Sequence, residues 1–355
     1  MEQKSVLIGM SGGVDSSVAA ALLKEQGYHV IGATMRLWTY SDSCNMKHEG
    51  CCAESAVEDA RRVCDKLGID FYVMNFKDMF KDKVVDYFVD EYIHGRTPNP
   101  CIACNKYLKF DALLKKALAM GIDYVATGHY AKIEKGDGKF LLKKAIDEKK
   151  DQSYVLYNFT QEQLAHTLMP LGGYNKDWVR QKAEELGLGV AHKPDSQEIC
   201  FVEDDDYAKF ITDYSGYKPK EGDILDVNGN VIGKHRGLIY YTIGQRKGIG
   251  AYGRPMFVMK IDAENNTITL GEKGMEFSNE LTAYDVNFVS GEFPKENMLI
   301  TAKVRYQAPP AAAMLCPQKD GTVKLMFPEP QRAVTPGQAV VFYDGDIVLG
   351  GGTVL

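Results

Sequence analysis

Val6-Leu7-Ile8-Gly9-Met10-Ser11-Gly12-Gly13-Val14-Asp15-Ser16-Ser17 decides the fold of this 355-residue chain. An apolar run leads into two glycines and then into small hydroxyl residues, which is the sequence of a strand, an anion-binding turn and a helix N-terminus. Gly12 and Gly13 are expected to let the backbone approach an anion closely and to adopt positive φ. Ser16 and Ser17 fall where a helix start offers unpaired N–H groups and the positive end of its dipole. The helix is expected over 18–26, stopped by Gly27. No Gly-Lys-Ser/Thr follows, so the loop is not of the Walker type.

Outward from this loop, strand and helix alternate. Strands are expected over 30–35, 71–76 and 124–127, and helices over 53–67, 80–92 and 107–120, with a Pro-rich loop before the last helix. That alternation implies a parallel sheet covered on both faces. Ligands of such sheets bind at the carboxyl ends of the strands, where the first loop lies. A hairpin is expected around Gly136-Asp137-Gly138, and a helix over 177–186 with Asn175 as cap and Gly187 as stop. After about Tyr214 the texture becomes all-β. Asn228-Gly229 marks a hairpin, and short strands recur over 298–307, 322–327 and 339–343. The fold class is therefore α/β, with a small β-rich central domain and a C-terminal β-barrel. The expected boundaries are 1–213, 214–278 and 279–355.

A hydrophobic content of 45% and a charged content of 25% suit an ordinary soluble globular chain. No apolar run is long enough for a membrane span. The N-terminus enters a core strand directly, so no signal peptide is expected, and the eight cysteines point to thiol chemistry rather than a disulfide scaffold. These readings place the chain in the cytoplasm, with no membrane partner. A net charge of −6 argues alone against nucleic acid. Yet Lys234, Arg236, Arg246, Lys247, Arg254 and Lys260 lie between Gly233 and Lys260 with no Asp or Glu among them.

Cys101 and Cys104 occur in Thr97-Pro-Asn-Pro-Cys-Ile-Ala-Cys-Asn105, a loop stiffened by two prolines just before a helix. A helix dipole favours a thiolate there. Cys200 lies far downstream in Pro194-Asp-Ser-Gln-Glu-Ile-Cys-Phe201. Cys44, His48, Cys51 and Cys52 form a second cluster. Its adjacent Cys51-Cys52 pair suits tetrahedral zinc poorly and no matching second half appears, so zinc is not expected. Cys64 and Cys316 read as packing residues. His129 follows a strand end on the nucleotide side of the sheet.

Ser11–Ser17 resembles the pyrophosphate loop (PP-loop) of the ATP pyrophosphatase superfamily, the adenine nucleotide alpha hydrolase-like fold. Arg96-Thr-Pro-Asn-Pro100, Cys104-Asn-Lys106, Ala126-Thr-Gly-His-Tyr130, Asp151-Gln-Ser-Tyr154, Cys200-Phe201 and Tyr241-Thr-Ile-Gly-Gln-Arg-Lys-Gly-Ile-Gly250 follow in order. Together they make the chain similar, along its whole length, to the tRNA-specific 2-thiouridylases. The resemblance implies an ATP- and Mg²⁺-dependent sulfurtransferase acting on the wobble uridine of tRNA. It implies that Gly9, Met10, Ser11, Gly12, Gly13, Val14, Asp15, Ser16, Met35 and Gly128 line the ATP site, with Asp15 holding Mg²⁺. Asn99, Pro100 and Cys101 would border the target base. His129, Lys150, Asp151, Gln152, Arg305, Tyr306 and Gln338 would contact the tRNA. Cys104 would be the nucleophile and Cys200 the persulfide carrier. A sulfur donor is implied too, whether a cysteine desulfurase, a sulfur carrier or sulfide, and the anticodon arm would meet the barrel. Many relatives carry an acidic residue at the place of Cys101. Cys101, Cys104 and Cys200 therefore leave two routes open: a three-thiolate [4Fe–4S] cluster with one open iron, or a persulfide relay between Cys200 and Cys104. Another PP-loop adenylating enzyme, acting on a different tRNA base or a small molecule, is the competing reading.

Overall fold

The computed structural model describes residues 3–38, 54–195, 199–202 and 205–355. The cluster Cys44, His48, Cys51 and Cys52 lies outside them. The first part of the chain gives β1 (Ser5–Gly9), helix α1 (Val14–Glu25), β2 (His29–Arg36), helix α2 (Glu54–Leu67), β3 (Asp70–Asn75) and β4 (Tyr124–Ala126). Next come a hairpin of β5 (Ala131–Lys135) and β6 (Phe140–Lys144), and then the short β7 (Thr167–Leu168). Strands β3-β2-β1-β4-β7 form one parallel sheet.

Alternate residues of β1 explain its unbroken apolar run. Leu7 packs into one core and Val6 and Ile8 into another, all fully buried, as expected for a strand covered on both faces. The strand order changes direction at β1 and β4, so the loops after these two strands straddle the crevice where such sheets take ligands.

Two elements start earlier than the sequence reading placed them. Helix α1 begins at Val14 because extended Gly13 (φ −103°, ψ 168°) serves as its N-cap. The helical run 100–119 begins at Pro100, since Asn99 caps it by accepting a hydrogen bond from Cys101 N at 3.1 Å and proline suits the first helical position. Cys101 and Cys104 thus lie within this helix and not in the loop before it. From Cys104 to Ala112 it widens to i→i+5 hydrogen bonding.

The middle region pairs β8 (Gly222–Leu225), β9 (Val231–His235), β10 (Met256–Asp262) and β11 (Thr267–Glu272) in a four-stranded sheet. Its β8–β9 turn carries Gly229 at φ +87°. Last come β12 (Phe277–Phe288), β13 (Met298–Lys303), β14 (Ala311–Pro317), β15 (Val323–Arg332), β16 (Ala339–Asp344) and β17 (Ile347–Val354). Pairing of β12 with β17 closes these six into an antiparallel barrel, and the β5–β6 hairpin extends its sheet from β17. Among the described residues, no helix is long and apolar enough to cross a membrane.

Candidate active site

The turn after β1 is held from both sides. Met10 N donates to Ala33 O at 2.8 Å, and Thr34 Oγ1 donates to Met10 O at 2.8 Å. Ser16 Oγ accepts from Ser11 N at 3.2 Å, and the Ser17 hydroxyl donates to Gly13 O at 2.8 Å. The loop folds back on its own helix start, where the first N–H groups of a helix have no partner within it. Only Gly12 adopts positive φ, at +71°; the expectation for Gly13 is corrected, because an N-cap residue takes extended geometry. A Cβ on Gly12 would lie 2.3 Å from Ala56 O of α2. Gly128, just past β4, touches the same turn: a Cβ there would lie 2.7 Å from Ser16 N. Gly9 ends β1, and half-buried Met35 lies near the end of β2 at this edge of the sheet.

Asp15 is more constrained than the sequence suggested. The Lys176 ammonium donates to both its oxygens, at 2.7 and 2.8 Å, and Tyr130 OH donates to Oδ1 at 2.7 Å. Burial and then the Asp15 charge push the Tyr130 phenol well above its ordinary value, so it stays a donor. Lys176 Nζ also reaches Asp195 Oδ1 at 2.8 Å, and Asp195 takes Lys150 at 2.6 Å and Arg180 at 3.2 Å. Burial pushes Asp195 up, but the bonds from Lys150 and Lys176 outweigh it and hold the carboxyl below its usual range. Lys193 Nζ donates to Gly12 O at 3.1 Å and pairs with Asp59 at 3.0 Å. None of Tyr130, Lys176, Arg180, Lys193 and Asp195 was singled out from sequence. One signal was present: a lysine at the first position of helix Lys176–Glu185 opposes the helix dipole unless something pairs it. A carboxylate in the first turn of α1, beside the positive end of the helix dipole, suits Mg²⁺ bound to phosphate once Lys176 yields to it.

The thiols are not alike. Cys104 is buried, whereas Cys101 and Cys200 are exposed residues. Although Cys101 is exposed as a residue, desolvation of its thiol raises the pKa, and the Lys109 charge opposes the rise only in part. Phe201 anchors Cys200: its ring is 1% exposed and meets Phe80 and Phe88 edge-on at 5.6 and 5.3 Å. Phe201 and Cys104 share one apolar cluster. Among the described residues, no three His, Cys, Asp or Glu side chains are arranged to hold a metal ion. Cys101, Cys104 and Cys200 are thus not gathered as a cluster would need them.

The residues expected to meet RNA divide into two kinds. Lys150 and Tyr306 present partly exposed polar ends, and Tyr306 OH donates to Asp151 O at 3.3 Å. The Asp151 carboxylate instead accepts from Ala145 N and the Ser153 hydroxyl at 3.0 and 2.7 Å. Gln152 Oε1 accepts from Tyr130 N at 2.9 Å. Gln338 donates to Thr97 O at 2.7 Å, and Arg305 donates to Ile243 O at 3.0 Å and to the Thr335 hydroxyl. These four brace loops. Their bonds, with Thr97 Oγ1 to Thr242 Oγ1 at 3.3 Å, bring the Asn99 loop, the 241–250 turn and the barrel together. His129 is held by Thr127 Oγ1 at 2.7 Å from Nδ1, and desolvation, then Lys109, keeps its pKa well below 6.5. Of the basic stretch, Lys234, Arg254 and Lys260 pair with Asp223, Glu272 and Asp262. Exposed Arg246 and Lys247 have no ion-pair partner among the described residues.

Residues 4–204 match the model of the tRNA methyl transferase HUP domain, 208–272 that of the tRNA methyl transferase PRC-barrel domain, and 278–354 that of the aminomethyltransferase beta-barrel domain. The tRNA-specific 2-thiouridylase of Acetivibrio thermocellus is 60% identical over 358 residues, covering 100% of both chains. The chain belongs to the tRNA-specific 2-thiouridylase family. A second member, from Clostridioides difficile, is 58% identical over 354 residues, covering 99% of this chain and 98% of its own. Among solved structures, a 4-thiouridine synthetase–RNA complex with bound ATP is a distant likeness, with TM-score 0.37 and 18% identity over 56% of this chain and 45% of that one. This likeness is too low to carry an argument. Membership of the thiouridylase family accounts for the convergence of the PP-loop, the thiol-bearing helix and the barrel in one chain.

Proposed function

We infer that the chain is an ATP-dependent sulfurtransferase that forms 2-thiouridine at the wobble position of tRNA. The observation that carries this reading is the junction at Thr97, Thr242 and Gln338, where the loop leading to Cys101 and Cys104 meets an unpaired basic turn and the barrel. An enzyme that merely adenylates a small molecule has no use for that junction, and full-length identity to thiouridylases argues the same way. We divide the work among 1–213 for ATP and chemistry, and 214–278 and 279–355 for the anticodon arm of the tRNA.

A uracil carbonyl is a poor site for displacement. In this reading the O2 of a uridine drawn out of its stack attacks the α-phosphorus of ATP, and pyrophosphate leaves. The N–H groups at the start of α1 receive the anion, and Gly12 and Gly128 allow the close approach. Mg²⁺, when bound, would neutralise phosphate charge with Asp15 as its protein carboxylate. Neutral His129 can offer a hydrogen bond at the base without adding charge.

Sulfur transfer follows through the thiols. Exposed Cys200 receives a sulfur atom from a donor protein or persulfide in the cytoplasm, giving Cys200–S–S⁻. The terminal sulfur attacks C2 of the adenylated uridine, and AMP leaves with the former O2. The Cys104 thiolate then attacks the Cys200 sulfur. The S–S bond to the new sulfur breaks, 2-thiouridine leaves, and a Cys104–Cys200 disulfide remains for an external dithiol to reduce. The relay asks for two thiols, Cys104 and Cys200, and not for the three gathered sulfurs that a cluster needs.

Nucleoside analysis of unmodified tRNA treated with enzyme, Mg²⁺, ATP and a persulfide donor tests the reading. Wild type and Cys101→Ser should yield 2-thiouridine, and Cys104→Ser and Cys200→Ser none. Loss of bound iron together with activity in Cys101→Ser would restore the cluster route. Thiolation at the wild-type rate by Cys104→Ser would overturn both.

A further inference from the structure

Lys176 is a buried cation, with its side chain 9% exposed, and it is shared between two carboxylates, Asp15 and Asp195. Asp15 belongs to the nucleotide loop. Asp195 also holds Lys150, whose side chain is 35% exposed and lies on the loop expected to meet RNA. A cation so buried cannot trade a carboxylate for water without a large desolvation cost. Whatever happens at Asp15 must therefore be felt at Asp195. Arg180 fixes the far side: it donates to Asp195 and to the backbone oxygens of Ala191 and Lys193, at 3.0 and 3.3 Å.

We propose that Asp195 is a shared counter-ion that couples the binding of Mg²⁺-nucleotide at Asp15 to the binding of tRNA at Lys150, and that the coupling is positive. Asp195 faces three cations, and Lys176 divides itself between Asp195 and Asp15. When an RNA phosphate takes Lys150, Asp195 loses one of them and draws Lys176 closer. Asp15 is then released from its strongest competitor and is open to Mg²⁺. In the other direction, Mg²⁺ on Asp15 drives Lys176 onto Asp195. The carboxylate is then crowded with positive charge and gives up Lys150 more readily. Each ligand thus removes an obstacle to the other, and linkage requires the two effects to be equal. An enzyme coupled in this way holds Mg²⁺-nucleotide more tightly when the substrate RNA is seated.

This inference rests on the proposed function, and its test separates the two. The affinity of full-length enzyme for unmodified tRNA is measured by filter binding, with and without saturating Mg²⁺ and α,β-methylene-ATP, which cannot release pyrophosphate. The affinity for the analogue is measured by calorimetry with and without tRNA. Wild type should gain at least about fivefold in both directions by the same factor. Asp195→Asn should still bind each ligand alone, with the factor falling to about one. Should Asp195→Asn fail to fold, Lys150→Gln replaces it: the RNA then has no lysine to withdraw from Asp195, so the factor should again approach one. Failure of wild type to bind tRNA at all would overturn the functional reading. Independent binding by wild type, or an undiminished factor in the folded variants, would overturn the coupling alone.

Discussion

Gly12 and Gly13 read alike in the sequence, yet alanine should be harmful at only one of them. At Gly12 the backbone sits at φ +71°, which costs an L-residue about 1–2 kcal/mol. The added Cβ would also stand 2.3 Å from Ala56 O and 2.9 Å from Ala56 Cα, both backbone atoms of α2 that cannot turn aside. Overpacking of that kind costs about 1–3 kcal/mol. The sum is about 2–5 kcal/mol, and for a domain of this size it lowers the melting temperature by roughly 5–20 °C. At Gly13 the backbone is extended, and the nearest atom to a new Cβ is the Ser11 hydroxyl oxygen at 3.4 Å. Only the preference of an N-cap for glycine over alanine is lost there, about 1 kcal/mol or less. Thermal and urea unfolding of Gly12→Ala and Gly13→Ala side by side would read the difference. Equal losses in the two variants would refute the loop geometry on which the nucleotide site is built.

Asp15→Ala should lose adenylation and also about 1–3 kcal/mol of stability, because it leaves buried Lys176 partly unsatisfied, with Asp195 as its remaining carboxylate; adding Lys176→Met should restore stability in urea titrations but not activity. His129 is held neutral by folding. Its contribution is therefore intact above the unfolded value of 6.5 and is lost as pH falls from there towards the depressed folded value. Unfolding titrations from about pH 8 to 5 should show that acid-side slope in wild type and a shallower one in His129→Gln. Replacing Arg246 and Lys247 with Gln should weaken tRNA binding and reduce the slope of log K against log salt by about 1–2, whereas an unchanged slope would remove this turn from the RNA surface.

The sheet and its loop were legible because each rests on local rules. An apolar run followed by Gly-Gly and hydroxyl residues has few other uses, and Asn-Gly and Gly-Asp-Gly mark turns through φ alone. The start of the 100–119 helix was misplaced because the prolines were read as stiffening a loop, when Asn99-Pro100 is itself a cap and first-turn pair. What stayed hidden depends on distance in space. Lys176 and Asp195 are 161 and 180 positions from Asp15 and become its electrostatic surroundings only when helix Lys176–Glu185 packs against α1. The same holds for Arg305 and Gln338. Sequence similarity marks them as RNA-facing, while the fold gives their side chains to the backbone of neighbouring loops. A polar residue at such a junction can serve the substrate by fixing the loop that touches it.

The central claim is that the uridine carbonyl oxygen departs on AMP. Unmodified tRNA carrying ¹⁸O at C2 of the wobble uridine would test it most directly, in a single turnover with Mg²⁺, ATP and persulfide donor. Mass spectrometry of the recovered AMP should find the label in its phosphate, in amounts equal to the 2-thiouridine formed. Unlabelled AMP accompanying thiolated tRNA would contradict adenylation of the base.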